Sequence, residues 1–339
     1  MADKQPTIKE IARRLNISVS TVSRALHDHS SIGLRTKMRV KELAQELNYE
    51  PNQTAIFFQQ RKTFTIGVIL PELAESFFSS AISGIEDVAY KNSYTVLLGQ
   101  SHDDFEREKQ LTESMKKHRI DGLLVSVSKN THTYDHFKLL ENAGIPVVFF
   151  DRIPTIPAIH YIACNMISGT VQAVSYLLKK GHRVIGMING PENLFATGER
   201  TDGYIQAMQK NRLKYDPSLI VHSDLSTESN FEAMQQLINH KRKVTAVVAF
   251  NDYVAMDAMH YAALKKVEVN KDIWFVSYAN LPMVHYLKYQ PAASVEQFPN
   301  LQGKKATEML LELLTKKEEE GDTSHYKIIV DSKLVVYNE

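Results

Sequence analysis

The sequence predicts an α/β protein: a three-helix headpiece and a hinge segment, followed by a two-lobed body with parallel sheets. Three observations lead there. Residues 7–26 carry two short amphipathic helical patterns joined by a tight turn. From Thr65 onward, short apolar runs alternate with amphipathic helices, the pattern of helices packed on a mostly parallel sheet. Charge is divided between the two parts. Residues 1–62 hold 11 Lys and Arg against 6 Asp and Glu, a net +5, and the remainder carries −4, although the whole chain stands at +1. A basic head on an acidic body fits a phosphate-binding module attached to something else.

The head is legible residue by residue. Thr7 and Glu10 have the spacing of a capping box, and Pro6 precedes the cap. Ile8, Ile11, Ala12 and Leu15 then share one helical face. Asn16 tolerates the left-handed conformation that a sharp turn needs, Ile17 can plug the angle, and Ser18 is a good N-cap for the second helix. On that helix Val22, Ala25 and Leu26 face inward, leaving Val19, Ser20, Ser23 and Arg24 outside. A third helix is expected from about Leu34 to Asn48. Any amphipathic helix pair would share the apolar spacing. The exposed face is what suits a helix-turn-helix laid in the DNA major groove. Val19 and Ser20 stand where base edges are read, Arg24 can reach a guanine in bidentate fashion, and Ser18, Thr21 and Ser23 suit phosphates.

Three pieces in order, Thr7-Ile8-Lys9-Glu10-Ile11-Ala12, Ser18-Val19-Ser20-Thr21-Val22-Ser23-Arg24 and Tyr49-Glu50-Pro51-Asn52, resemble the N-terminal signature of the lac repressor family. The resemblance implies DNA contacts by Ser18, Val19, Ser20, Thr21 and Arg24. It also implies a hinge helix after Pro51-Asn52, with Asn52 counted in the DNA-contacting set. In the family, paired hinge helices of a dimer wedge a leucine into the minor groove of the operator. The matching position here is Phe58, and phenylalanine is among the residues that unstack a base step. Gly33 replaces the serine usual at the third helix's N-cap.

In the body, Thr65 to Leu70 reads as the first buried strand. The helices expected after it run from about Phe77 to Lys91, Phe105 to His118, Ser168 to Lys180 and Arg200 to Asn211. Sheets of this kind bind ligands at the carboxyl ends of their strands. The turns there are polar: Gln100-Ser101-His102-Asp103, Ser126-Val127-Ser128, Asp151-Arg152, Asn189-Gly190-Pro191, Asn251-Asp252 and Tyr278-Ala279-Asn280, with Phe77 and Phe78 after the first strand. Polar groups around aromatic faces suit a polyhydroxylated ligand, although strand ends commonly meet polar loops whatever they bind. The resemblance extends over the body, which is similar to the family's periplasmic sugar-binding-protein-like effector domain of two lobes with a ligand cleft between them. It implies effector contacts by Ser126, Asp151, Arg200, Asn251, Asp252 and Gln297, to which the residue reading adds Phe77. It implies a DNA-binding domain at 1–50, a hinge at 51–63 and an effector and dimerisation domain at 64–339. One lobe is expected over 64–161 and 296–325, the other over 162–295 and 326–339. Three departures from the family pattern, Ala279 for an aspartate, Glu75-Ser76 for Asn-Pro and Asn165-Met166 for an Asp-Asn pair, point away from the effectors of the best-known members. They leave open a different sugar, a phosphorylated sugar or a nucleoside.

The remaining features exclude more than they assert. The single cysteine, Cys164, excludes an internal disulfide and reads as a buried thiol on a strand. No apolar run reaches the roughly 18 residues of a membrane span, and the polar N-terminus enters a helix at once, so neither membrane insertion nor a signal peptide is expected. The protein is therefore expected in the cytoplasm. His132 and His136 are four apart, but no glutamate follows His132 and no third ligand is evident, so no metal and no cofactor is expected. No Walker loop, nucleophile elbow or dinucleotide fingerprint is present. A sugar-binding transport protein would need an export signal and would not need the basic helices. A carbohydrate enzyme would need an acid–base pair that no motif supplies. The expected function is that of a sequence-specific repressor, not an enzyme. It would be a homodimer on a pseudo-palindromic operator in double-stranded DNA, controlled by a small-molecule effector of carbohydrate type.

Overall fold

The computed structural model describes residues 6–49, 62–316 and 325–337. The chain divides into two compact units, Met1–Thr63 and Phe64–Glu339. The expected hinge contacts Asn52 and Phe58 lie outside the described residues.

The head contains α1 (Ile8–Leu15), α2 (Val19–Leu26) and α3 (Leu34–Glu46). Ile11, Val22, Ala25 and Val40 are fully buried between them, with Ala12 and Ala44 nearly so. Helix α1 ends on Asn16 in the left-handed region (φ 53°, ψ 47°), the conformation its short polar side chain tolerates. The Thr7–Glu10 capping box does not form: Thr7 makes no side-chain cap bond. The Glu10 carboxylate is instead taken by Arg14 one turn on, at 2.8 Å, a partner that competes with the helix N-terminus for the same oxygens.

The body consists of two six-stranded sheets. Its first lobe contains β1 (Thr65–Leu70), α4 (Ser76–Lys91), β2 (Thr95–Gln100), α5 (Phe105–Lys117), β3 (Gly122–Val125), α6 (Asp135–Glu141), β4 (Val147–Phe150) and β5 (His160–Cys164). The chain then builds α7 (Met166–Lys179), β6 (Ile185–Asn189), α8 (Phe195–Lys210), β7 (Ile220–His222), α9 (Thr227–Ile238), β8 (Ala246–Ala249), α10 (Asp252–Leu264), β9 (Trp274–Tyr278) and β10 (Ala293–Glu296). It returns through α11 (Pro299–Thr315) and ends in β11 (Lys327–Val330) and β12 (Lys333–Val336). The strand orders are β11-β5-β4-β3-β1-β2 and β12-β10-β9-β8-β6-β7. All pairings are parallel except β10 with β12. Central strands such as β3, β4 and β8 are buried at every residue, as expected of a sheet covered by helices on both faces.

The lobe boundaries differ from those expected. Strand β5 pairs with β4, and β11 pairs with β5, in the first sheet. The crossings therefore fall after Cys164 and Val330, not at 161/162 and 325/326. The crossings are tied to one another: Asn165 N donates to Val330 O at 2.8 Å, and Ser332 Oγ to Asn165 O at 2.9 Å. Helix α8 also starts at Phe195, five residues before the expected Arg200. Asn189 Nδ2, at the end of β6, donates to Thr197 O and Thr201 Oγ1, both at 3.0 Å, and so holds the added turn against the sheet.

Candidate functional site

On the head, helix α2 presents the expected face. Val19, Ser20 and Arg24 are exposed, Thr21 and Ser23 half-buried, and Val22 and Ala25 buried. Ser18 Oγ accepts from Thr21 N at 3.1 Å and lies 2.8 Å from both Ser20 Oγ and Thr21 Oγ1. The Ser18 hydroxyl is thus the cap that fixes where the exposed residues begin.

In the body, a cleft opens at the carboxyl ends of β1 and β4 from one lobe and β8 and β9 from the other, the position favoured in open α/β sheets. The empty space, its open mouth included, is about 820 Å³. Five of the expected residues line it: Phe77, Asp151, Arg200, Asn251 and Gln297. Residues the sequence reading did not assign to a ligand also form its wall, among them Glu75, Arg152, Glu199, Phe250 and Tyr253. They come from helix starts and strand ends whose side-chain direction depends on packing between the lobes.

Arg200 dominates the site. It is 3% exposed, and its guanidinium carbon lies 4.0 Å from the Phe250 ring centre and 4.5 Å from that of Tyr278. Tyr278 is itself fixed by Thr170, oxygen to oxygen 2.5 Å. Arg200 Nε and Nη1 are buried with no hydrogen-bond partner. Burial disfavours the charged form and moves the guanidinium's pKa below its usual value, and Tyr278 and Asp151 oppose this. Two fixed, unclaimed donor nitrogens beside a cleft are costly unless a ligand accepts from them.

Asp151 directly follows β4 and lies in the left-handed region (φ 58°). Its carboxylate receives Ser126 Oγ at the long distance of 3.4 Å. Burial pushes the acid up to about 6, against the pull of Arg152 and Arg200. Relative to an unfolded aspartate near 3.9, the folded protein holds this proton more tightly. Stability is therefore complete below the unfolded value and declines as pH rises through about 6. Asp151→Asn is expected to stabilise the ligand-free protein by about 1–3 kcal/mol at pH 8 and hardly at all at pH 4. Urea denaturation at the two pH values measures this, and a loss of stability at pH 8 contradicts it. Glu75 and Glu199 are raised as well, by burial first.

Three expected contacts have other duties. Asp252 is fully buried and does not line the cleft. Its carboxylate accepts from Ser277 Oγ, from Ser294 Oγ at 2.9 Å and from Leu281 N at 2.7 Å, which ties α10 to β9 and β10. A carboxylate with three internal donors has no need of a ligand. Ser126 is buried behind Asp151, donating to it and accepting from Arg152 N at 3.4 Å. Asn251 lines the cleft, but its Oδ1 caps α10 by accepting from Val254 N at 2.9 Å.

This architecture matches known proteins over nearly the whole chain. Residues 7–52 match the model of bacterial regulatory proteins of the lacI family. Residues 63–332 match that of periplasmic binding proteins and the sugar-binding domain of the LacI family. The chain belongs to the LacI family. The HTH-type transcriptional repressor PurR of Vibrio atlanticus (strain LGP32) is 30% identical over 314 residues, 93% of each chain. Among solved structures, the lac repressor dimer bound to operator and the anti-inducer ONPF covers 98% of both chains at 24% identity with a TM-score of 0.81. The transcriptional regulator CelR in complex with cellobiose covers 98% of both at 24% identity with a TM-score of 0.73. This LacI-family member is a DNA-binding transcriptional regulator controlled by a small-molecule effector, not an enzyme. Among the described residues no helix is long and apolar enough to cross a membrane.

Proposed function

We propose that the cleft binds an uncharged, polyhydroxylated effector of sugar type and that effector binding changes the affinity of a homodimer for a pseudo-palindromic operator in the cytoplasm. The observation carrying this reading is Arg200, with two buried donor nitrogens, Nε and Nη1, that need acceptors. The apolar faces of Phe77, Phe78 and Phe250 in the same cleft suit a sugar ring. A phosphorylated effector is disfavoured by charge: Glu75, Asp151 and Glu199 face the cleft against Arg152 and Arg200, and Arg152 Nη1 is already held by Asp103 at 2.6 Å. CelR, which shares the fold, was solved with cellobiose. The domain division that accompanies this reading is DNA binding at 1–50, a hinge at 51–63 and effector binding beyond. Calorimetric titration with monosaccharides, disaccharides, sugar phosphates and nucleosides tests it. Saturable binding of a neutral sugar with a matching change in operator gel shift supports the proposal, and exclusive response to a phosphorylated ligand or a nucleoside overturns it.

At the operator, Val19 and Ser20 meet base edges, Arg24 reads a guanine, and Thr21 and Ser23 hold phosphates beside the Ser18 cap. Asn52 and Phe58 complete the DNA-contacting set from the hinge, with Phe58 as the wedge. Arg24→Ala is expected to cost about 1–3 kcal/mol of discrimination at one base pair and to change binding to random DNA little. Competition binding against operators mutated at single positions checks this; an equal loss on every sequence would make Arg24 a phosphate contact instead.

A further inference from the structure

The loop after β3 reaches across the cleft mouth. Lys129 Nζ donates to Asp224 O in the second lobe at 2.9 Å, and Asn193 Nδ2 of that lobe donates to Lys129 O. Inside the first lobe this loop is clamped by two carboxylates. Glu108, fully buried, accepts from Ser128 N at 2.7 Å, Thr131 Oγ1 at 2.8 Å and His136 Nε2 at 3.0 Å. Asp103 Oδ1 accepts from Lys129 N at 2.8 Å and from Arg152 Nη1 at 2.6 Å, and Asp103 O accepts from Asn130 Nδ2 at 2.9 Å. Asp103 holds these bonds from an unusual backbone: it and His102 are both left-handed (φ 57° and 54°) at the end of β2. Consecutive left-handed residues other than glycine are costly and are kept where the surroundings impose them. Arg152, in turn, lines the effector cleft and lies 5.7 Å from the Phe78 ring centre.

We propose that Asp103 is a positioning residue that couples the cleft to lobe closure: its carboxylate joins Arg152 in the cleft wall to the Lys129 bridge between the lobes. Glu108 makes the loop rigid, so a shift of Arg152 reaches Lys129 through Asp103 without being absorbed. A ligand that draws Arg152 inward changes the geometry of the same carboxylate oxygen that holds Lys129 N. Two bonds to one oxygen couple their donors directly, which gives the two sites a shared element that both can bias. This assignment builds on the proposed effector reading, but its test needs no effector.

The test measures the distance between spin labels at Gln110→Cys on α5 and Gln236→Cys on α9, both exposed positions in different lobes, by pulsed electron spin resonance on the ligand-free full chain. Cys164 can stay, because its thiol is buried on β5. Asp103→Ala and Arg152→Ala are each expected to broaden the distribution and lengthen it by more than about 2 Å, with Asp103→Asn, which keeps an acceptor, shifting less. The control is Asp104→Ala, which removes the cap that Arg107 N uses on α5. If Asp103 were merely structural, this neighbour would give the same shift. An unchanged distribution in Asp103→Ala, or an equal one in Asp104→Ala, overturns the proposal. A shift in Asp103→Ala without one in Arg152→Ala overturns the link to the cleft. None of these outcomes bears on which effector the cleft takes, so failure here is distinguishable from failure of the sugar titrations.

Discussion

Arg200→Ala is expected to leave operator binding intact and to abolish the response to effector. The head and the cleft are separate units of the chain, so removing a cleft side chain takes nothing from the exposed face of α2. What it takes from the ligand is large. Arg200 offers two donor nitrogens, Nε and Nη1, that are already desolvated and make no internal hydrogen bond. A hydrogen bond from a charged donor contributes about 1.5–3 kcal/mol, so losing two weakens binding on the order of 10²–10⁴-fold. Arg200→Lys should not rescue, because a single ammonium cannot lie flat against Phe250 and Tyr278 while offering a fork of donors. Arg200→Met should fill the slot between the rings and relieve the unpaired buried donors, giving a chain at least as stable as the parent but deaf to the effector. Titration calorimetry with a sugar that binds the parent, paired with gel shifts, separates these outcomes. A normal effector midpoint in Arg200→Ala would remove Arg200 from the site.

The second large effect lies where α4 and α11 cross. A Cβ at Gly84 would stand 2.1 Å from Asn300 O, and one at Gly303 would stand 2.1 Å from Ala81 O. Both obstacles are backbone atoms, so no rotamer change relieves the clash and the helices would have to separate. Gly84→Ala and Gly303→Ala are each expected to destabilise the body by about 3 kcal/mol or more, through overpacking at a crossing that cannot move without opening the core around Ala81, Ile85 and Ala306. Denaturation midpoints measure this. Gly33→Ala serves as the contrast, because a Cβ there meets nothing within 4 Å and φ is −65°; its effect should be limited to the weaker N-cap, about 1 kcal/mol or less. A tolerated alanine at Gly303 would show that the two helices are free to slide apart.

Much of this molecule was legible in its residues because the signals are local. The apolar spacing of Ile8, Ile11, Ala12 and Leu15, the turn at Asn16 and the cap at Ser18 each depend on a few neighbouring residues, and the head follows from them. The alternating apolar runs from Thr65 specify parallel sheets, and the strand-end rule then leads to Asp151 and Asn251. Side-chain direction was decided elsewhere. Asn251-Asp252 reads as a polar pair facing a ligand, yet Asp252 turns inward because Ser277, Ser294 and Leu281, distant in sequence, supply it with three donors. Thr7 and Glu10 have capping-box spacing, yet Arg14 takes the carboxylate. The lobe boundaries moved for the same reason: β5 and β11 join the first sheet through pairing with each other and with β4, partners the local pattern does not name. Element types, the basic head and the family are written in short-range residue patterns. Long-range packing alone settles which polar groups find internal partners and which, like Arg200 Nε and Nη1, do not. Satisfaction is a property of partners brought together across the chain, and near-neighbour spacing cannot report it.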